Sequence, residues 1–229
     1  MISTNKKNIL SIFFKVLIVL SSFTGVFFSL IYAEKDGFKF WASRLLYFTA
    51  QSNLWILILH VAIIARKLTT KRKPIFERLY VLRFVFTVQI TMTGLIYCCL
   101  LAPFSPKEYN AWSFYNVFTH VLTPILCISD FFIDKQNVLS IKDVLLCAIP
   151  PLTYVLISAI LSEIKMDYGR GEYFPYFFMN YHSEAGLLGF GKTYPYYIGS
   201  IYWIITFGII TILIGTIYYK LSKNKKHAK

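Results

Sequence analysis

Two residues in this chain carry the side chains that acyl chemistry needs, Thr49 and His120, and each belongs to a row of polar residues inside an apolar run. In the second run Thr49, Ser52, Asn53 and His60 are spaced to share one helix face. In the fourth, Asn116, His120, Thr123, Cys127 and Asp130 recur at alternating intervals of four and three, which again is one face. A hydroxyl and an imidazole at one level are the minimum for nucleophilic attack on an ester: the imidazole takes the hydroxyl proton as the oxygen adds to the carbonyl, then returns it to the leaving alcohol. Gln51, Ser52, Asn53, Asn116 and Thr93 are the nearby amides and hydroxyls expected to steady an oxyanion or fix the imidazole tautomer. Neither row has a carboxylate at that depth, so the expectation is a dyad.

Each of these residues also has a plainer reading. Threonine and serine in membrane helices commonly bond back to a carbonyl or fasten neighbouring helices. An ionisable residue inside a span is a functional candidate by default, which sets His120 apart. His60 reads as a packing residue and His182 as a surface one. Arg83 and Asp130, each about a turn inside the same boundary on adjacent spans, read as a structural ion pair, because an isolated charge there costs several kcal/mol. Pro124, four residues after His120, is expected to bend its helix and free a carbonyl. Cys98, Cys99, Cys127 and Cys147 lie in apolar runs without zinc-type spacing. Neither a metal nor an organic cofactor is implied.

The elements that must position these groups are membrane helices. Of 229 residues 56% are hydrophobic and only 15% charged, against about a quarter charged in soluble domains. Six runs reach the ~20 residues of a bilayer crossing, at about 10–33, 42–65, 80–103, 112–133, 143–163 and 197–219. The expectation is a single all-α, six-span domain. Its first run is longer than a signal-peptide core and is retained.

The net charge of +13 lies in the gaps between spans. Lys6, Lys7, Arg66, Lys67, Lys71, Arg72, Lys73, Arg78, Lys135, Lys142 and the basic tail at 220–229 fall on one side. Lys35, Lys39, Arg44, Lys107, Lys165, Arg170 and Lys192 fall on the other, a ratio of roughly two to one that puts both termini in the cytoplasm. The charge reads as topology and headgroup attraction rather than as a nucleic-acid footprint. With that orientation Thr49 and His120 lie about 10–12 Å below the outer boundary, at 1.5 Å of rise per residue. The long external segment 164–196 is too rich in aromatics for a free linker, so it is expected to lie in the interface or fold back over the bundle.

Three stretches in this order carry a resemblance: YFTAQSNLW around Thr49, HVLTP from His120 to Pro124, and YPYY from Tyr194. Together with six spans they resemble the androgen-induced-gene and FAR-type integral membrane proteins and their bacterial relatives, over most of the chain. The resemblance implies a threonine-dependent hydrolase of lipid esters, in particular fatty acid esters of hydroxy fatty acids, with Thr49 as nucleophile and His120 as the catalytic histidine.

The expected function is hydrolysis of an amphiphilic lipid ester in a bacterial plasma membrane, with membrane lipids and the ester as partners. Two other readings stay open. One is a transporter or binding protein whose polar rows line a solute pathway, although no inverted repeat is visible. The other is an acyltransferase sharing the acyl-enzyme.

Overall fold

The computed structural model describes residues 4–69, 76–105, 109–134 and 138–223. Six helices are long and apolar enough to cross a membrane: α1 (Thr4–Ile31), α2 (Phe48–Thr69), α3 (Glu77–Leu101), α4 (Phe114–Ile133), α5 (Asp143–Glu163) and α6 (Ser200–Ser222). Lys71, Arg72, Lys73, Lys107, Lys135, Lys225, Lys226 and Lys229, part of the expected charge asymmetry, lie outside the described residues.

The largest departure in boundaries is α2, which begins at Phe48, not near residue 42. Trp41–Leu46 are apolar enough to extend the run, but they wind into a 3-10 turn that ends in extended backbone at Tyr47. Thr49 is therefore the second residue of its helix. His120 is the seventh of its own, so the two do not stand equally far along their helices, as the expected boundaries implied.

Helices α1 to α4 form the packed centre, with α3 the most enclosed, while α5 and α6 are peripheral. One face of α1 explains how the helices close. Ser11, Lys15, Ile18, Ser22 and Ser29 are all buried on it, and Gly25 lies on the same stripe. A Cβ at Gly25 would come within 2.6 Å of Thr119 Cγ2, so α1 and α4 meet where the side chain is smallest.

Prolines set the irregularities. Pro151 has no N–H for the Cys147 carbonyl, and Gln89 Nε2 donates to that carbonyl instead, at 2.7 Å. In α4 the turn Phe118–Leu122 just before Pro124 is π-helical, as is Tyr97–Leu101 at the end of α3. The two turns face each other, and Gly94 is what lets them. A Cβ there would lie 2.8 Å from the His120 carbonyl, which Pro124 deprives of its helical donor.

At the end of the bundle shared by the α2–α3 and α4–α5 connections, four helices meet on buried charges. Asp130 accepts from Arg83 Nη2 at 2.8 Å, the pairing read from the sequence, and from Lys15 Nζ at 2.8 Å. Lys15 also reaches Asp134 at 3.0 Å, as does Lys67 at 3.1 Å. His60 Nε2 stands 3.6 Å from Asp130, and its Nδ1 faces the Ile56 carbonyl at 2.8 Å. Lys15, Arg83 and Asp130 are fully enclosed, an arrangement tolerable in apolar surroundings only because each charge is met. Arg83 lies over the rings of Tyr80 and Phe131, which pack with Phe84 and Tyr218 in one apolar cluster.

At the opposite end, segment 164–196 folds back over the bundle and buries Tyr168, Phe178, Met179 and Ala185. Lys39 N–H donates to the Gly169 carbonyl at 2.7 Å, tying this segment to the α1–α2 connection.

Candidate active site

Beneath that folded segment lies a cavity of about 320 Å³. Its wall includes Thr49 and Ala50 from α2, Tyr97 and Leu101 from α3, Asn116, Thr119 and His120 from α4, and Val26 and Ser29 from α1. Arg44, Tyr47, Tyr109, Arg170 and Tyr176 come from the connections. Thr49 and His120, 71 positions apart in the chain, thus share one enclosure. Among the described residues no direct hydrogen bond joins them.

His120 is 6% exposed. Its ring lies flat on Tyr97, with centroids 3.5 Å apart and planes 8° from parallel. The Tyr97 hydroxyl donates to the Ala111 carbonyl, which fixes that ring from behind. His120 Nδ1 is buried with no hydrogen-bond partner among the described residues. A neutral imidazole whose unprotonated nitrogen has no partner can accept a proton.

Thr49 sits where the backbone N–H groups of a helix start have no partner within the helix. The Tyr176 phenol lies beside that place. Burial pushes its pKa up, opposed by the nearby Thr49 hydroxyl and the Thr49 and Phe48 N–H groups. Tyr47 beside it is likewise pushed up by burial, with Arg170 opposing. Both phenols therefore stay neutral at ordinary pH.

The expected donors are mostly committed elsewhere. Gln51 Nε2 donates to the Leu45 and Leu46 carbonyls at 3.2 and 3.4 Å, holding the 3-10 turn. Ser52 Oγ donates to the Thr49 carbonyl at 3.1 Å and meets Thr93 Oγ1 at 3.0 Å. Asn53 Nδ2 donates both to the Thr49 carbonyl at 2.9 Å and to the Thr119 carbonyl at 3.2 Å. None of the three lines the cavity, so the polar run after Thr49 fastens α2 to α3 and α4 and sets where Thr49 stands. Asn116 does line the cavity, but its Nδ2 is engaged by Tyr109 Oη at 2.8 Å and the Asn110 carbonyl at 3.3 Å.

Tyr97, Tyr176 and two arginines join the site without any mark in the sequence. Arg44 pairs with Asp36, which also accepts from the Tyr115 hydroxyl at 2.7 Å, and lies over the Phe38 ring at 4.2 Å. Arg170 lies over Phe38 and Tyr109 at 4.6 and 5.2 Å and meets no carboxylate among the described residues. In a chain so rich in aromatics, no spacing singles out these tyrosines. His182, on the outer surface, is 3.3 Å from Glu163 and takes no part. Among the described residues no three His, Cys, Asp or Glu side chains gather to hold a metal.

A second cavity, of about 230 Å³, adjoins the first and shares Thr49, Leu101 and Tyr176 with it. It is enclosed mainly by apolar side chains of α3, α5 and α6, with Thr93 and Gln89 on its wall. No family model, curated protein or solved structure matches the chain.

Proposed function

We propose that this protein is a membrane hydrolase of amphiphilic lipid esters, with Thr49 as nucleophile and His120 as general base. The observation that carries the reading is the shared enclosure: a helix-start threonine and a buried, half-unpartnered histidine line one cavity beneath an aromatic cover. The ester carbonyl enters beside Thr49. Thr49 Oγ1 adds to the carbonyl carbon as the His120 imidazole takes the hydroxyl proton. The oxyanion is met by the N–H groups at the start of α2, beside which the Tyr176 phenol lies. Collapse breaks the carbon–oxygen ester bond, the proton on His120 passes to the departing alcohol, and a threonyl ester remains. Water, deprotonated by His120, then releases the acid.

The Arg170 guanidinium at the cavity wall favours an ester whose other end is anionic, such as a fatty acid ester of a hydroxy fatty acid, in agreement with the resemblance of YFTAQSNLW and HVLTP. A bacterial plasma membrane, with the cavity in its outer half, is the setting that the basic-residue asymmetry favours. A solute pathway is the weaker reading. Most of the polar groups on both rows are spent on fixed interhelical bonds, and Tyr80, Phe84 and Phe131 fill the far end of the bundle.

The test is turnover of a fatty acid ester of a hydroxy fatty acid by the purified chain in detergent, with labelling by a fluorophosphonate. Release of free acid, with label on Thr49 that heating prevents, supports the hydrolase. Absence of both in folded protein overturns it. Formation of a new ester when an alcohol is added makes the protein an acyltransferase.

A further inference from the structure

The second cavity has features that the hydrolytic step does not require. Met92, Ile96, Leu152, Val155 and Phe207 make up much of its wall, and two of its sides are α5 and α6, the helices least enclosed by protein. Gln89 holds its place on the wall through the bond of its Nε2 to the Cys147 carbonyl. Gly208 of α6 lines this space, and a Cβ built there meets no atom within 4 Å. The volume beside Gly208 is thus unfilled by any neighbouring side chain. Thr49, at the junction of the two cavities, is the point where a carbonyl would stand with a chain extending past it.

We propose that the second cavity binds a single lipid hydrocarbon chain, the acyl part of the ester, and that the missing side chain at Gly208 sets how long a chain it accepts. The position of the acyl carbonyl at Thr49 rests on the hydrolase reading; the binding of a chain does not. An apolar enclosure between lipid-facing helices is satisfied by methylene groups. The first cavity, with its arginines, tyrosines and histidine, is left for the polar remainder of the molecule.

The experiment uses the full chain in detergent and two photoreactive probes, palmitic acid and phosphatidylcholine, each with a diazirine in its acyl chain. Palmitate crosslinks are expected within 148–155 and 204–212, competed by unlabelled palmitate, and reduced about tenfold in Gly208→Phe, which fills the space. Gly208→Val is the milder companion should the phenylalanine variant fold poorly. Labelling that is unchanged in a folded Gly208 variant, or that maps elsewhere, overturns the site. Labelling there by phosphatidylcholine that palmitate cannot displace assigns the cavity to bulk lipid and overturns the acyl assignment.

A second arm compares kcat/KM on palmitoyl and butyryl esters of p-nitrophenol. The ratio is expected to fall about tenfold in Gly208→Phe. If the wild-type chain hydrolyses neither ester, the hydrolase reading fails while the crosslinks still judge the chain site. If it hydrolyses both and the ratio is unmoved, the chain site fails and the hydrolase stands.

Discussion

The Tyr97 ring lies flat against the His120 ring, 3.5 Å between centroids, and each residue sits in a π-helical turn. Such turns insert one residue into a helix and rotate the remainder of the helix about its axis, and they are frequent at functional sites. Here two of them bring an aromatic face and an imidazole into register across α3 and α4. Tyr97 is a positioning residue for His120. Tyr97→Phe keeps the face but strands the Ala111 carbonyl, a cost of about 1–3 kcal/mol. Tyr97→Leu removes the face. The expected result is that kcat falls far more in Tyr97→Leu than in Tyr97→Phe while KM changes little. Equal kcat in the two variants, with only Tm differing, would make the stacking merely structural.

On the proposed mechanism, in which the two act as one unit, Thr49→Ala and His120→Ala should each lower kcat by about a thousandfold or more, and the double variant by little beyond that. Thr49→Ser keeps a hydroxyl and should retain measurable turnover. Thermal melting of each purified variant separates loss of chemistry from loss of fold.

Asn53 tests what the polar run is for. Its Nδ2 bridges the carbonyls of Thr49 and of Thr119, the residue before His120. Asn53→Leu removes the bond to the Thr119 carbonyl, while the Thr49 carbonyl keeps Ser52 Oγ, and should cost about 1 kcal/mol of stability. Activity should fall together with stability, since the start of α2 loses its tie to α4. A variant that melts normally and turns over normally would refute the fastening role.

Asp130→Asn leaves the enclosed Lys15 and Arg83 only the partly exposed Asp134 as counter-charge. The expected loss is about 3–5 kcal/mol, read as a drop in denaturation midpoint. Lys15→Met combined with Asp130→Asn should recover part of it, a coupling that a double-mutant cycle measures.

The segment over the cavity should loosen in acid. The Asp167 carboxylate accepts from the N–H groups of Gly169 at 2.7 Å and Gly171 at 2.9 Å, and these bonds, with Lys39 beside it, hold its pKa below the usual carboxylate value. Glu184, bonded by the N–H groups of Thr193 and Lys192, is lowered too. A depressed folded pKa contributes stability that is complete above the unfolded value, near 4, and is lost as pH falls through the folded one. Limited proteolysis with an acid-active protease should show protection of 164–196 shrinking below about pH 4. Asp167→Asn with Glu184→Gln should flatten that dependence.

The bundle is legible in the sequence because an apolar run of about 20 residues has few alternatives, and both polar rows do turn inward. The pairing of Arg83 with Asp130 can be read from matching depth. Lys15 cannot be assigned a partner in that way, since the sequence says that a buried charge must be met but not which helix meets it. The start of α2 is hidden because Trp41–Leu46 are as apolar as a helix interior, while their actual form depends on tertiary packing. Ser52 and Asn53 resemble oxyanion donors in the sequence because spacing reveals a face, not whether its hydrogen bonds are already spent. Tyr97 and Tyr176 are concealed among 17 tyrosines.

The charge cluster has a consequence for how the molecule is made. Lys15 and Arg83 are synthesised well before Asp130, and Lys67 before Asp134. A nascent chain that has delivered α1, α2 and α3 carries three cations whose counter-ions are still inside the ribosome. The first helices therefore have to wait at the insertion machinery, or near headgroups and water, until α4 arrives, and commitment to the bilayer becomes one event for four helices. Ribosome-arrested chains ending before and after Asp130 should differ sharply in how readily alkaline carbonate extracts them.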